Sequence, residues 1–449
     1  MPDTSLSNLL TSFSSVLWSE YCLIPLLAGV GVYLTVGLRG FPWRRIGQAG
    51  GLLWRGRRPD TGKGTISPFQ ALMTALAATI GTGNIAGVAA AIHFGGPGAV
   101  FWMWVIALFG MATKYAEAVL AVHFREFDAF GNAVGGPMYY IRNGLGPGWA
   151  WLGTCFAVFG MIAAFGIGNM VQANSVADVM FSEFAVPTLL TGITAAVLTG
   201  LVIIGGVRRI AQVAEAVVPV MAVAYVSLAL VILTLNWVAI PAAVHLIVTS
   251  AFEPAAGVGT GIWVAMRWGF ARGIFSNEAG LGSAAIAHAA ARCDNPVEQG
   301  MVAMLGTFID TLCVCSMTAL VIIVTGAWSG PEQGAALSAN AFTLGIGALG
   351  APIVAIALAV FAFTTIIGWS YYGERCAAYL FGARVIVGYR IAWVCALLVG
   401  ALIKLELVWT IADIFNGMMA LPNLVALVLL SPIVFRLTRE QAPQVSARR

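Results

Sequence analysis

Two stretches of this 449-residue chain place residues suited to ion and zwitterion chemistry inside otherwise apolar segments. The first reads Ala77-Ala78-Thr79-Ile80-Gly81-Thr82-Gly83-Asn84-Ile85-Ala86-Gly87, with three glycines in seven residues beside threonine and asparagine. The second reads Gly273-Ile274-Phe275-Ser276-Asn277-Glu278-Ala279-Gly280-Leu281-Gly282-Ser283 and adds an acid. Glycine costs about 1 kcal/mol in a helix interior relative to alanine, so both read as helices that unwind midway. Unwinding exposes half-helix N-termini, whose N–H groups suit a carboxylate, and half-helix C-termini, whose carbonyls suit a cation. An amino-acid zwitterion together with a cation matches that pair of ends. One such stretch alone reads better as close helix packing through small residues. Two, at corresponding places in the chain, point to a ligand site built on interrupted helices.

Further polar groups lie at similar depth. Thr364 and Thr365 are adjacent hydroxyls in an apolar run; each can bond back to its own helix or offer oxygen to a hard monovalent cation. Asn169, Gln172 and Asn174 bring amides that either join helices or orient a polar ligand, and Phe165, Gly166 and Gly168 beside them leave room for a small solute. Lys114 and Glu117, three apart on one helix face, predict an ion pair. Arg267 and Arg272 precede the second interruption, Glu278 lies within it, and Asp310 sits between Thr307 and Thr311. Charges at this depth are costly and face the protein interior.

The elements that must position these groups follow from composition. Apolar residues make up 60% of the chain and charged residues 9%, against about 25% charged in soluble domains. Apolar runs of about 20 residues recur along the length, and none alternates as a transmembrane β-barrel requires. The expected fold class is an all-α polytopic membrane protein with eleven spans, near 16–38, 66–92, 97–124, 149–180, 187–206, 212–235, 258–290, 298–326, 350–380, 384–402 and 406–435. Segments 237–252 and 334–348 are too short to cross and read as interfacial or loop-packing helices. Spans from 66 to 235 and from 258 to 435 number five each, and an odd number per half makes the halves inverted repeats. The domain reading is therefore 1–65, an extra first helix and basic loop; 66–235, the first repeat; 236–257, an external connection; 258–435, the second repeat; and 436–449, a tail.

Arginine and lysine orient the spans. Nineteen of them, from the first loop (Arg39 to Lys63) through Arg208 and Arg209 to the tail, fall on one side when spans alternate, against Lys404 alone on the other. The N-terminus is expected outside, retained as a span with no cleaved leader, and the C-terminus in the cytoplasm of a cell inner membrane. Seven scattered cysteines and four dispersed histidines give no metal site or nucleophile–base pair, so an enzyme is not expected. A channel would need a charged ring or a multi-subunit pore, and neither appears.

Gly95-Gly96-Pro97-Gly98-Ala99-Val100-Phe101-Trp102-Met103-Trp104, with Val105 to Gly110 after it, resembles the signature of the alanine or glycine:cation symporters. The likeness extends through GTGNIAG, GGPMYYI at 135–141, GIGNMVQAN at 166–174 and GIFSNEAGLGSA at 273–284, nearly the whole chain. This resemblance implies the leucine-transporter fold plus one extra N-terminal helix, and symport of alanine or glycine with sodium, or in some cases protons, by alternating access. It implies a sodium site from Ala77, Ile80, Phe361, Thr364 and Thr365. It implies a substrate site from Gly81, Thr82, Gly83, Gln172, Ile274, Phe275 and Ser276, with Phe275 and Phe165 as walls. In proton-driven proteins of this fold a lysine on the fifth core helix replaces the sodium; segment 212–235 carries none, which favours sodium. The expected partners are alanine or glycine, sodium and the lipid bilayer, with no organic cofactor and no nucleic acid, acting as a monomer. The alternative on the same fold is proton-coupled uptake of another small amino acid or amine.

Overall fold

The computed structural model describes residues 4–19, 21–57, 62–253, 261–403 and 406–447. Its helices of seven or more residues, in chain order, are α1 (Thr4–Leu17), α2 (Leu23–Gly37), α3 (Ile46–Arg55), α4 (Pro68–Thr79), α5 (Gly83–Gly95), α6 (Gly98–His123), α7 (Pro137–Leu145), α8 (Pro147–Phe184), α9 (Thr188–Ile203), α10 (Gly206–Leu235), α11 (Trp237–Ser250), α12 (Ile262–Asn277), α13 (Ser283–Ala289), α14 (Pro296–Val324), α15 (Gly334–Ile346), α16 (Gly350–Phe381), α17 (Ala383–Leu402) and α18 (Glu406–Ala447). Among the described residues, seven helices are long and apolar enough to cross a bilayer, and eight if α4 and α5 count as one bent span.

Every expected span has a helix or helix pair at its place, with two refinements. The segment at 16–38 divides: α1 ends at Leu17, the chain turns through Trp18 and Ser19, and α2 begins only at Leu23. At 15 residues α2 rises roughly 22 Å. The turn is held where the Trp18 indole donates to the Asp413 carbonyl at 3.0 Å, so α1 lies along α18 instead of extending α2. The short segments at 237–252 and 334–348 are helices packed against the longer ones: α11 lies on α6 through Ala243 and Ile247 with its other face exposed, and α15 lies on α16 and the first break.

Both interruptions are present. Ser67 caps α4 by accepting the Gln70 N–H while Gln70 returns a bond to the Ser67 N–H, a capping box that starts the helix firmly. α4 ends at Thr79, Ile80 is extended (φ −77°, ψ 94°), and α5 leaves at 55°. Between α12 and α13 the chain turns through Glu278 (φ +56°), Gly280 (φ +93°) and Gly282 (φ +81°). Positive φ is open to glycine without cost and strained for other residues, which accounts for the two glycines and makes Glu278 the exception. The start of α4 and the end of α13 are joined by a parallel bridge between Ile66 and Ala291, with the Thr65 N–H on the Ala290 carbonyl at 2.8 Å and the Arg292 N–H on the Ile66 carbonyl at 2.7 Å. Arg125 fastens the same loop, donating to the Ala291 and Cys293 carbonyls at 2.7 Å each.

Candidate functional site

The first break opens backbone groups on both sides. In a continuous helix the Gly81 N–H would bond the Ala77 carbonyl; here it turns to the Asn84 side-chain oxygen at 2.8 Å. The Ala77 carbonyl thus loses its usual donor. The Thr82 N–H points to the Gln172 side-chain oxygen at 3.5 Å, so the Ala78 carbonyl loses its donor as well. α16 supplies the facing oxygens. The Thr365 hydroxyl donates across the gap to the Ile80 carbonyl at 3.3 Å. The Thr364 hydroxyl donates to Phe361 on its own helix at 2.8 Å and touches the Met221 sulfur of α10 at 3.6 Å. A hydroxyl that has given its hydrogen keeps lone pairs for a cation. Ala77, Ile80, Phe361, Thr364 and Thr365 thus place carbonyl and hydroxyl oxygens on two facing helices, a donor set suited to a hard ion.

The contact leaves no spare room at Gly81. A Cβ there would collide with the Thr365 hydroxyl, and it would lie 3.5 Å from the Gln172 oxygen. The Thr82 hydroxyl is buried with no hydrogen-bond partner among the described residues. On the other side, Gly83 faces Phe275 and Ser276, each about 3.4 Å from where a Cβ would be. The two breaks therefore meet, with Gly81, Thr82, Gly83, Gln172, Phe275 and Ser276 in one neighbourhood. Phe275 also floors a cavity of about 290 Å³ whose walls include Trp18, Arg267, Arg272, Trp409 and Asp413.

Several expected members sit elsewhere. The second break begins at Glu278, one turn later than Ile274, and the Ile274 carbonyl is consumed by the Glu278 N–H at 2.8 Å. Ile274 accordingly lies in the last turn of a regular helix that ends at Asn277, with its carbonyl already taken. Asn169 donates to the Trp393 carbonyl at 2.9 Å and Asn174 to the Ile403 carbonyl at 3.2 Å, joining α8 to α17 and its end. Phe165 packs on Tyr389 and Trp393. The room expected at Gly166 and Gly168 is filled by Ala412 and Trp369, which lie where their Cβ atoms would project. These glycines serve close helix approach.

The predicted Lys114–Glu117 pair does not form: among the described residues the Lys114 ammonium is buried with no hydrogen bond or ion pair. The carboxylate goes instead to the second break, where one Glu117 oxygen accepts from the N–H groups of Gly280 (3.0 Å) and Gly282 (3.1 Å) and from Asn423 (2.7 Å). Three fixed N–H donors stabilise a carboxylate that a flexible ammonium would otherwise hold. Asn423 in turn accepts from the Tyr140 hydroxyl.

Asn84 and Asp310 form the link that sequence reasoning did not draw. The Asn84 amide donates to Asp310 at 2.7 Å, and Asp310 also accepts from Ser276 and Thr311 at 2.8 Å each. One buried carboxylate on α14 thus ties the first break to the helix leading into the second. The Thr318 hydroxyl takes the Asn84 carbonyl at 2.8 Å and Ser338 of α15 takes the Ile85 carbonyl at 3.0 Å, satisfying backbone that has no water to turn to. The signal was the co-occurrence of an amide in one break and an acid among hydroxyls, but their pairing spans 226 residues.

Two interrupted helices packed together, with backbone ends and hydroxyls converging between them, fit a membrane transporter of the leucine-transporter fold. A solved structure of MhsT in complex with L-phenylalanine matches 85% of this chain and 99% of its own at a TM-score of 0.58 with 15% identity. The sodium:alanine symporter family profile matches residues 3–449, and the chain belongs to that family: it is an amino-acid symporter that moves sodium, not an enzyme. It is 50% identical to the sodium/alanine symporter AgcS of Methanococcus maripaludis, over 96% of each chain. It is 49% identical to an uncharacterized transporter of Haemophilus influenzae, over 97% of this chain and 96% of that one. A probable sodium/glutamine symporter, GlnT of Bacillus subtilis, is 38% identical over 97% of this chain and 90% of its own.

Proposed function

We propose that this protein carries alanine or glycine into the cell with sodium, both held where the two breaks meet, by alternating access of eleven spans arranged as two inverted five-helix repeats and one extra helix. The observation that carries the reading is the Thr365 hydroxyl on the Ile80 carbonyl, directly beside Gly81 and the Thr82 N–H. Sodium takes the oxygens of Ala77, Ile80, Phe361, Thr364 and Thr365. The substrate carboxylate takes the N–H groups of Thr82 and Gly83 and the unpartnered Thr82 hydroxyl, beside Gly81, whose N–H is held by Asn84, with Gln172, Phe275 and Ser276 around the rest. Ile274 shapes this wall through packing only. Phe275 against Gly83 limits the side chain to a small one.

Met221 supports sodium over the proton-driven alternative, since α10 presents a thioether, not an amine, to Thr364. The joined ends of α4 and α13 let both half-helices move as one body. Sodium and substrate favour the closed state only so far as they bind it better than the open ones. The domains follow the same plan: 1–65, 66–235, 236–257, 258–435 and 436–449, with the N-terminus outside, the C-terminus in the cytoplasm and a single chain as the working unit.

The test is uptake of labelled alanine and glycine into proteoliposomes with an inward sodium gradient, an inward proton gradient, or neither. Accumulation driven by sodium alone is expected. Thr365→Ala should raise the sodium needed for half-maximal uptake at least tenfold; sodium dependence left as in the native protein would remove this cation site.

A further inference from the structure

Four ionisable side chains surround the second break, all essentially sealed from solvent: Lys114 is 2% exposed, Glu117 0%, Glu278 3% and Asp310 0%. Buried charges persist only when paired or richly hydrogen-bonded, and otherwise take up or lose a proton. Glu117 accepts three donors on one oxygen, its other oxygen being buried without a partner among the described residues, and Asp310 accepts three across both, so each is hydrogen-bonded as a carboxylate. Lys114 offsets one of these charges.

Glu278 is the acid left over. It holds the positive-φ corner of the break (φ +56°), the Ser283 hydroxyl sits 2.5 Å from its carboxyl, and the Trp369 indole N–H lies within hydrogen-bonding reach. With all four groups ionised, three negative charges face one positive, and no described cation closes on Glu278 within 4 Å. Trp369 stands one turn beyond Thr365 on α16, so Glu278 borders the proposed cation site through a single helix turn. The groups around it are Lys114 and Glu117 on α6, Asp310 on α14 and Tyr372 on α16; Tyr140 of α7 and His288 of α13 complete the cluster next to Glu117 and Lys114. From α18 the cluster receives the amide of Asn423, while Asp413 and, on α12, Arg272 line the outer cavity.

We propose that Glu278 is a proton-binding site in competition with the coupling cation. Its carboxyl holds a proton while the cation is absent; as the cation binds, the O–H bond breaks, the proton passes to water and the carboxylate remains. One arriving positive charge replaces one departing positive charge, and the buried surplus is unchanged. Linkage makes the effect reciprocal, so protons weaken cation binding by the factor by which the cation weakens proton binding. The inference rests on the cation site proposed above.

The measurement is the sodium concentration giving half-maximal alanine binding to the purified full-length protein at pH 6 and pH 8. The native protein should need several-fold more sodium at pH 6, to a limit of roughly tenfold per pH unit for one proton, and Glu278→Gln should need the same at both. A native value indifferent to pH, or a pH shift that survives in Glu278→Gln, overturns the proposal. Should that variant not fold, a sodium jump into lightly buffered native protein with a pH indicator decides: proton release supports the site and its absence overturns it. Alanine binding that needs no sodium at either pH would sink the cation site itself, whereas sodium-dependent, pH-indifferent binding would sink only the proton site.

Discussion

At the scale of single residues, the site depends on contacts with no slack. Gly81 is the sharpest case: it has no positive φ, and what excludes a larger residue is the Thr365 hydroxyl lying where its Cβ would project. Gly81→Ala must push Thr365 away from the Ile80 carbonyl or shift the break itself. We expect sodium-driven uptake to fall at least a hundredfold while the melting temperature in detergent stays within a few degrees; near-native uptake would show that the two need not touch. The neighbouring threonines divide the work that their sequence left undivided. Thr364 bonds back to its own helix, as most membrane threonines do, and Thr365 alone crosses to the first break. Adjacent residues on a helix differ by about 100° in direction, and here Thr365 is the one that reaches the Ile80 carbonyl.

At the scale of elements, each break is stabilised by a buried acid from a neighbouring helix. Glu117 of α6 holds the Gly280 and Gly282 N–H groups, and Asp310 of α14 holds Asn84 and Ser276. An unpaired buried donor costs about 1–3 kcal/mol, and Glu117→Ala would orphan two N–H groups and the Asn423 amide contact. The loss should reach about 3 kcal/mol or more by that reckoning, seen as a clear drop in melting temperature, while Glu117→Gln, which keeps an acceptor oxygen, should lose less. Equal effects from the two substitutions would mean that charge, not acceptance of hydrogen bonds, is what Glu117 supplies. The two interruptions were legible because glycine, serine and asparagine cannot be explained by lipid contact. Their anchors were not. Lys114 and Glu117 have the spacing of a helix-surface pair, yet that spacing says nothing about two other elements, the second break and α18, bringing three N–H donors to the carboxylate.

At the scale of the whole molecule, the charge asymmetry along the chain predicts which face meets the cytoplasm. In a cysteine-free background, single cysteines at Arg57 and at Trp237 should be labelled from opposite sides of intact cells by a membrane-impermeant thiol reagent, Trp237 from outside. Labelling of both from the same side would break the alternation on which the repeats depend. The bridge between Ile66 and Ala291 belongs to this scale too, because it joins helices from the two halves of the chain.

What the sequence determined by itself was set by terms that act locally or in sum. Too few charges to cover a soluble surface implied a membrane, apolar run lengths implied helices at every span, and the cost of glycine in a helix marked both breaks. The bend at Trp18 escaped, since a carbonyl on α18 nearly 400 residues away holds it. The start of the second break escaped as well, because it depends on which residue takes the left-handed turn that ends α12, and there the chain put Glu278. Which of three amides reached the site, which threonine crossed the gap and where Glu117 pointed were decided by the tertiary structure. Each rests on a directional hydrogen bond between distant segments, and a bond of that kind has no trace in the spacing of either partner.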